Sequence, residues 1–290
     1  MIDVLIGGAI LGAIYALISL GLNLQYGVTR ILNIAHGEFL MLGAFITYVF
    51  SLPPYNVNPI VSLAISGPLV FIFGLLIQTS ALRRIVRTSK AAEELEFKSL
   101  LACFGLQFII QHTVRSILEF LKLGYMGAPY LTESILIFGE RFQKNMIFAA
   151  IASVIFSILI YLLLRFTKLG LAMRATVEEP TGAQLVGINI LKIHAISFGL
   201  GVLLSALAGS MLCMIYSNLT AFVGPVYTFI ALTVIIMGGA GSFVGSLLGG
   251  FFMGYVYYIV TKIDALLTLV ALYALLAIIL IVKPKGFFGR

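Results

Sequence analysis

Apolar runs of about twenty residues recur along the whole chain, near 4–26, 31–50, 58–80, 97–120, 145–166, 193–217, 224–240, 243–261 and 266–282. A run of that length covers the hydrocarbon core of a bilayer as an α-helix. In hydrocarbon every backbone N–H and C=O must find its partner inside the protein, which leaves helices or a closed barrel. The apolar residues are continuous and do not alternate, and this excludes a transmembrane barrel. Hydrophobic residues make up 61% and charged residues 10% of the chain. A soluble domain carries about 25% charge, so little chain is left for an extramembrane domain. The expectation is an all-α polytopic integral membrane protein with about eight or nine transmembrane helices, residues 1–290 forming one domain.

The net charge of +7 fits basic cytoplasmic loops and anionic lipid headgroups, not nucleic acid. Arg83, Arg84, Arg87, Lys90 and Lys98 form one basic region, Arg165, Lys168, Arg174 and Lys192 a second, and Lys283, Lys285 and Arg290 a third. These are twelve of the eighteen Lys and Arg residues, so the three regions are placed in the cytoplasm, with an even number of spans between neighbours. Counting back from Arg83 puts Arg30 inside and Asp3 outside. Residues 121–144 then face out despite Lys122, Arg141 and Lys144. Met1-Ile2-Asp3 lacks a basic n-region, so the first run reads as a retained span. Tyr48, Tyr55, Tyr125, Tyr130 and Tyr216 fall at outer ends as interfacial anchors; Tyr15 reads as packing.

The run at 31–50 is the least regular, because it holds Asn33, His36, Gly37 and Glu38. If it does not cross, the count falls to eight and the N-terminus moves to the cytoplasm. A charge at the bilayer centre costs about 2.5–3.5 kcal/mol on insertion scales and normally faces a cavity or a partner. On a regular helix Asn33 and His36 share a face that Glu38 does not. Either Glu38 meets another helix or the segment unwinds at Gly37. A structural hydrogen-bond clamp and a direct substrate or proton role are both open for Asn33, His36 and Glu38.

Small residues are spaced for close helix approach: Gly8 and Gly12, Gly201, Ser205 and Gly209, Gly241, Gly245 and Gly249, Gly250 and Gly254. Such faces serve packing within the chain, a subunit interface or a sliding surface. The loop 174–189 is polar and then mildly amphipathic, with acidic Glu178 and Glu179, Pro180, an Ala-Gln-Leu-Val stretch and Gly187. It reads as a short helix with its negative end at the N-terminus and a glycine stop. It serves as a solvated connector or as a helix docked in a groove of a soluble partner.

Cys103 and Cys213 make neither a metal-ligand spacing nor a disulfide framework. The phosphate loop G-x-x-x-x-G-K-[ST], H-E-x-x-H and G-x-S-x-G patterns are absent from the sequence, so no ATPase, metalloprotease or serine-hydrolase chemistry is expected. No nucleophile and base sit at workable spacing for an intramembrane enzyme.

The segment 21–28, Gly-Leu-Asn-Leu-Gln-Tyr-Gly-Val, followed by 32–45, Leu-Asn-Ile-Ala-His-Gly-Glu-Phe-Leu-Met-Leu-Gly-Ala-Phe, resembles the opening of branched-chain amino acid ABC permeases of the LivH type. The loop 174–189 is similar to that family's coupling loop, which ends in Leu-x-Gly-Ile-Asn. Residues 238–245 resemble its late glycine-rich turn, and 283–290 its tail. The four matches occur in the family's order. The resemblance implies an inner-membrane permease of a bacterial or archaeal importer, paired with a second homologous permease, two ABC ATPase subunits and an external substrate-binding protein. It implies no cofactor or metal on this chain, ATP being used by the partners. It implies a branched-chain or related small amino acid as cargo, with urea or a short amide as the alternative. It places Thr176, Glu178, Glu179, Ala183 and Gly187 against the ATPase, although Pro180-Thr181 departs from the family's pattern there. From the residues alone, an ion-coupled secondary transporter using His36 and Glu38 remains open.

Overall fold

The structure, a computed structural model, describes residues 1–89, 91–283 and 286–287. Lys90 and the tail residues Pro284, Lys285, Phe288, Gly289 and Arg290 lie outside the described residues. In chain order the helices are α1 (Ile2–Thr29), α2 (His36–Ser51), α3 (Pro59–Ile77), α4 (Arg83–Thr88), α5 (Ala92–Phe120), α6 (Lys144–Phe166), α7 (Lys168–Glu178), α8 (Pro180–Leu185), α9 (Ile190–Ile215), α10 (Gly224–Gly238), α11 (Phe243–Ile263) and α12 (Leu267–Val282). A π-helical turn, Gln78–Leu82, joins α3 to α4 in one continuous helix. Strands β1 (Ser134–Ile137) and β2 (Glu140–Gln143) pair antiparallel as the one short hairpin among the described residues.

Among the described residues six helices are long and apolar enough to cross a membrane, and α10 and α12 are shorter apolar helices. Together with the short helix α2 they fall on the nine apolar runs of the sequence, consistent with eight or nine spans. Their ends sort into two sets. Asp3 meets Lys262 and Tyr258, and Asn58 meets Tyr130, at one end. Tyr26 bonds Glu96, Met173 packs on Val28 and Ile193, and Phe287 N bonds Met237 O at the other. The second set carries the basic regions, so it is the cytoplasmic end. In the outer hairpin region Lys144 is bridged to Glu133. That hydrogen bond, and then the ammonium charge, hold the Glu133 carboxyl below its usual range.

Caps define the ends. Asn58 accepts from Ile60 N ahead of Pro59. Thr167, Asn189 and Ser242 cap α7, α9 and α11 in the same way, each satisfying an N–H that a helix start leaves free.

α1 and α9 are the buried centre, with 78% and 83% of their spanning windows inside the protein. α1 packs on α11 and α9 packs on α3; α2 lies on α9 and α10 on α1. The units α1–α2–α3 and α9–α10–α11 thus repeat one another with opposite direction. In each, a long helix crosses, a non-helical stretch returns to mid-depth, a short helix completes the second pass, and a third helix returns. This inverted repeat is a recurring plan for transport proteins.

Candidate functional site: a mid-membrane helix junction and a cytoplasmic turn

Arg30 ends α1 in the left-handed region, at φ 56°. Residues 30–35 then run back along α1 to the level of Ile18 to Gln25, roughly 6 to 16 Å inside its end at 1.5 Å per residue. Non-helical backbone at that depth needs internal partners, and buried side chains supply them. Asn33 Nδ2 donates to Gln25 Oε1 at 2.9 Å, Gln25 Nε2 lies 3.2 Å from His36 Nδ1, and His36 Nε2 lies 3.0 Å from Ile18 O. Because the Ile18 carbonyl can only accept, Nε2 carries the proton and Nδ1 accepts from Gln25. The imidazole is therefore a neutral ring held at both nitrogens. Ser205 Oγ donates to His36 O at 2.9 Å. The helix breaks before His36 and not at Gly37, since 30–35 is non-helical and α2 starts at His36.

The second short helix arrives from the other side. After α9, residues 216–223 return inward, with Met126 and Leu219 exchanging backbone hydrogen bonds at 2.7 and 3.0 Å. α10 then starts at Gly224 against the start of α2. Gly37 N donates to Thr228 Oγ1 at 2.8 Å, and Thr228 Oγ1 donates to Ile34 O at 3.0 Å. A Cβ on Gly37 would land on the Gly224 carbonyl oxygen, and one on Gly224 would come 2.5 Å from the Glu38 carboxyl carbon. Glu38 is 0% exposed and neither of its carboxyl oxygens has a hydrogen-bond partner among the described residues. It sits where the N-terminal ends of α2 and α10 come together. Asn33, His36 and Glu38 are thus brought to one junction, all buried inside the chain. Gln25 and Thr228 complete it. Sequence reasoning passed over both, although Gln25 stands out as an amide within an apolar run.

The cytoplasmic turn differs from the single helix expected. α7 runs to Glu178, and α8 starts at Pro180. Glu178 is therefore at the C-terminal end of a helix, where a negative charge is disfavoured. Glu179 is the cap of α8, its Oε1 accepting from Thr181 N at 3.2 Å. α8 closes with Ile188 N on Ala183 O at 3.0 Å and Gly187 N on Gln184 O at 2.9 Å, Gly187 having φ +87°. This is the Schellman arrangement with glycine at the left-handed position. Thr176 and Ala183 are 2% and 4% exposed and turn inward. Leu185 and Val186, 85% and 76% exposed, project instead.

The glycine stripes contact other helices of the same chain. A Cβ on Gly245 would land on the Gly238 carbonyl, and one on Gly249 would lie 3.1 Å from Val234 Cγ1 and Met237 Cε. Gly250 and Gly254 face Ala16 and Gly12 of α1. Gly241 does not share this face: it precedes α11, in the turn, at φ +83°, with its N–H on Asn23 Oδ1 at 2.6 Å. Tyr15 packs edge-on against Tyr257 and Tyr227 in the interior.

A family model described as branched-chain amino acid transport system / permease component matches residues 4–282. The chain is 28% identical to the high-affinity branched-chain amino acid transport system permease protein LivH of Escherichia coli (strain K12), over 98% of this chain and 94% of that protein. It is 27% identical to the corresponding permease protein BraD of Pseudomonas aeruginosa, over 99% of this chain and 95% of that one. The solved structure of PsaBC from Streptococcus pneumoniae in complex with Fab is similar at a TM-score of 0.50 and 11% identity, covering 97% of this chain and 92% of that chain. At that identity the likeness concerns the fold alone. The match to the family model spans both halves of the inverted repeat and the turn between them, and the chain belongs to the branched-chain amino acid transport system permease family.

Proposed function

We propose that this chain is one permease subunit of an ATP-driven importer in the cytoplasmic membrane, forming half of the pathway for a branched-chain or related small amino acid. In this reading residues 1–290 act as one permease domain. A second homologous permease supplies the other half, an external binding protein delivers the cargo, and two ATPase subunits use the ATP. The amino-acid cargo, in preference to urea or a short amide, is supported by the relatives whose names carry it.

The α7–α8 turn carries the reading. Two large aliphatic side chains, Leu185 and Val186, stand exposed at the cytoplasmic end on a helix stop closed by Gly187. A short rigid apolar projection of this kind suits a groove on a soluble partner. Within the loop, Glu178 and Glu179 are exposed and available to that partner, while Thr176, Ala183 and Gly187 shape the turn. Asn33, His36 and Glu38 act on the pathway by positioning: they set the depth at which α2 and α10 meet.

The test is site-specific photo-crosslinking with benzoylphenylalanine placed at Val186 or at Tyr55 of the outer end. An ATPase adduct at position 186 and none at 55 is expected. ATPase capture at 55, or no ATPase adduct at 186 in a complex that hydrolyses ATP, would overturn the docking assignment.

A further inference from the structure

At the cytoplasmic end a cavity of about 170 Å³ opens between α1, α6, α7 and the turn before α11. Leu20, Leu24 and Val28 of α1, Ile160 and Leu164 of α6, and Met173 of α7 give it aliphatic walls. Three polar residues are part of its lining: Asn23, Arg174 and Glu178. The Asn23 amide is already used, donating to Ser242 O at 2.8 Å and Ser246 Oγ at 2.6 Å and accepting from Gly241 N at 2.6 Å. Arg174 and Glu178 lie one turn apart on α7 and both line the same opening. Among the described residues neither takes part in an ion pair, and Arg174 makes one long contact, 3.4 Å, to Arg165 O. A base four residues ahead of an acid is the weaker order for a helical pair, and the two heads are not paired with each other.

The chemistry of such a guest is narrow. It needs an anionic group for a guanidinium fork, a cationic group close beside it for a carboxylate, and a short aliphatic body. An apolar cavity of on the order of 150 Å³ takes a benzene-sized molecule, so a four- or five-carbon side chain fits and a bulky solute does not. We propose that the cavity beneath α7 is a cytoplasmic binding site for a free zwitterionic amino acid with a short aliphatic side chain, and that its occupancy ties α7 to α1 and α6 and slows import. The inference rests on the cargo class proposed above. α8 follows α7 directly, so a guest that holds α7 also holds the turn bearing Leu185 and Val186.

The test separates the site from the cargo assignment. Tritiated L-leucine is equilibrated by dialysis with the purified permease–ATPase complex without binding protein. Saturable binding is expected, weakened at least about tenfold, or 1.4 kcal/mol, by Arg174→Gln and by the cavity-filling Leu164→Trp. L-Isoleucine should compete; 4-methylpentanoate and isoamylamine, each lacking one charge, should not. In proteoliposomes holding ATP, lumenal leucine should lower the initial uptake rate of the parent but not of Arg174→Gln, each compared with its own rate without lumenal leucine. No leucine binding, binding insensitive to both variants, or a phospholipid retained there in its place overturns the site. Leucine bound as described but never imported contradicts the proposed cargo and leaves the binding site standing.

Discussion

At the scale of single residues, the mid-membrane junction depends on an amide that bonds in both directions. Gln25 receives Asn33 and donates to His36. Gln25→Leu would leave two buried polar atoms without partners, at about 1–3 kcal/mol each. The purified protein should melt several degrees lower, and an unchanged melting curve would remove Gln25 from this role. Glu38 and Gly224 are coupled by space. Gly224→Ala forces its new methyl toward the Glu38 carboxyl, while Glu38→Ala vacates that volume. The double variant should recover roughly 1 kcal/mol of the loss, read from thermal unfolding of all four members of the cycle; strict additivity would mean the contact does not matter. Glu38→Gln keeps the shape and removes the charge, and is expected to leave folded protein with reduced uptake. The polar cluster was legible in the sequence because ionisable residues are rare in such a run. Its wiring was not, because Gln25 and Thr228 lie on other helices, and Thr228 is nearly two hundred residues away.

At the scale of helices, small residues decide which pairs approach. From the sequence alone Gly245→Ala is expected to be tolerated or mildly harmful and Gly245→Leu disruptive, since size matters in a graded way on a packed face. The structure puts the alanine on the harmful side: Gly238 and Gly245 meet backbone to backbone, each blocking a Cβ on the other. Gly245→Ala should therefore cost about 1–3 kcal/mol, as overpacking does, while Gly105→Ala, with open space around it, should be neutral. Detergent-resistant assembly and melting temperature report both. The spacing of glycines was visible in the sequence, but the residue opposite each one was not. The cytoplasmic turn follows the same rule. Pro180 and Gly187 mark the two ends of α8, but the acidic pair before the proline looked like one first turn. In fact Glu178 closes α7 and Glu179 opens α8. Gly187→Val places a β-branched residue at φ +87°, at a cost of about 1–2 kcal/mol or more. Membrane insertion should survive, and ATPase copurification or coupling of hydrolysis to uptake should fall.

At the scale of the whole molecule, two oppositely directed three-helix units surround one junction, and the cytoplasmic turn lies between them in the chain. Apolar run length made eight or nine spans readable, because bilayer thickness imposes a nearly fixed period, and the Lys and Arg residues between them indicated direction. The inverted repeat was not readable, since its halves share a path through the membrane and not an obvious sequence pattern. A paired plan of this sort allows one unit to move against the other about the contact of α2 with α10. An ATPase at one end can drive that movement, whereas a self-sufficient carrier would draw on an ion gradient. The deciding measurement is tritiated L-leucine uptake into proteoliposomes containing this permease, its partner permease, the ATPases and the binding protein. Uptake that requires lumenal ATP and persists when protonophores and ionophores collapse all ion gradients is the expected result. Uptake by the permeases alone, driven by a proton or sodium gradient and indifferent to ATP, would contradict it.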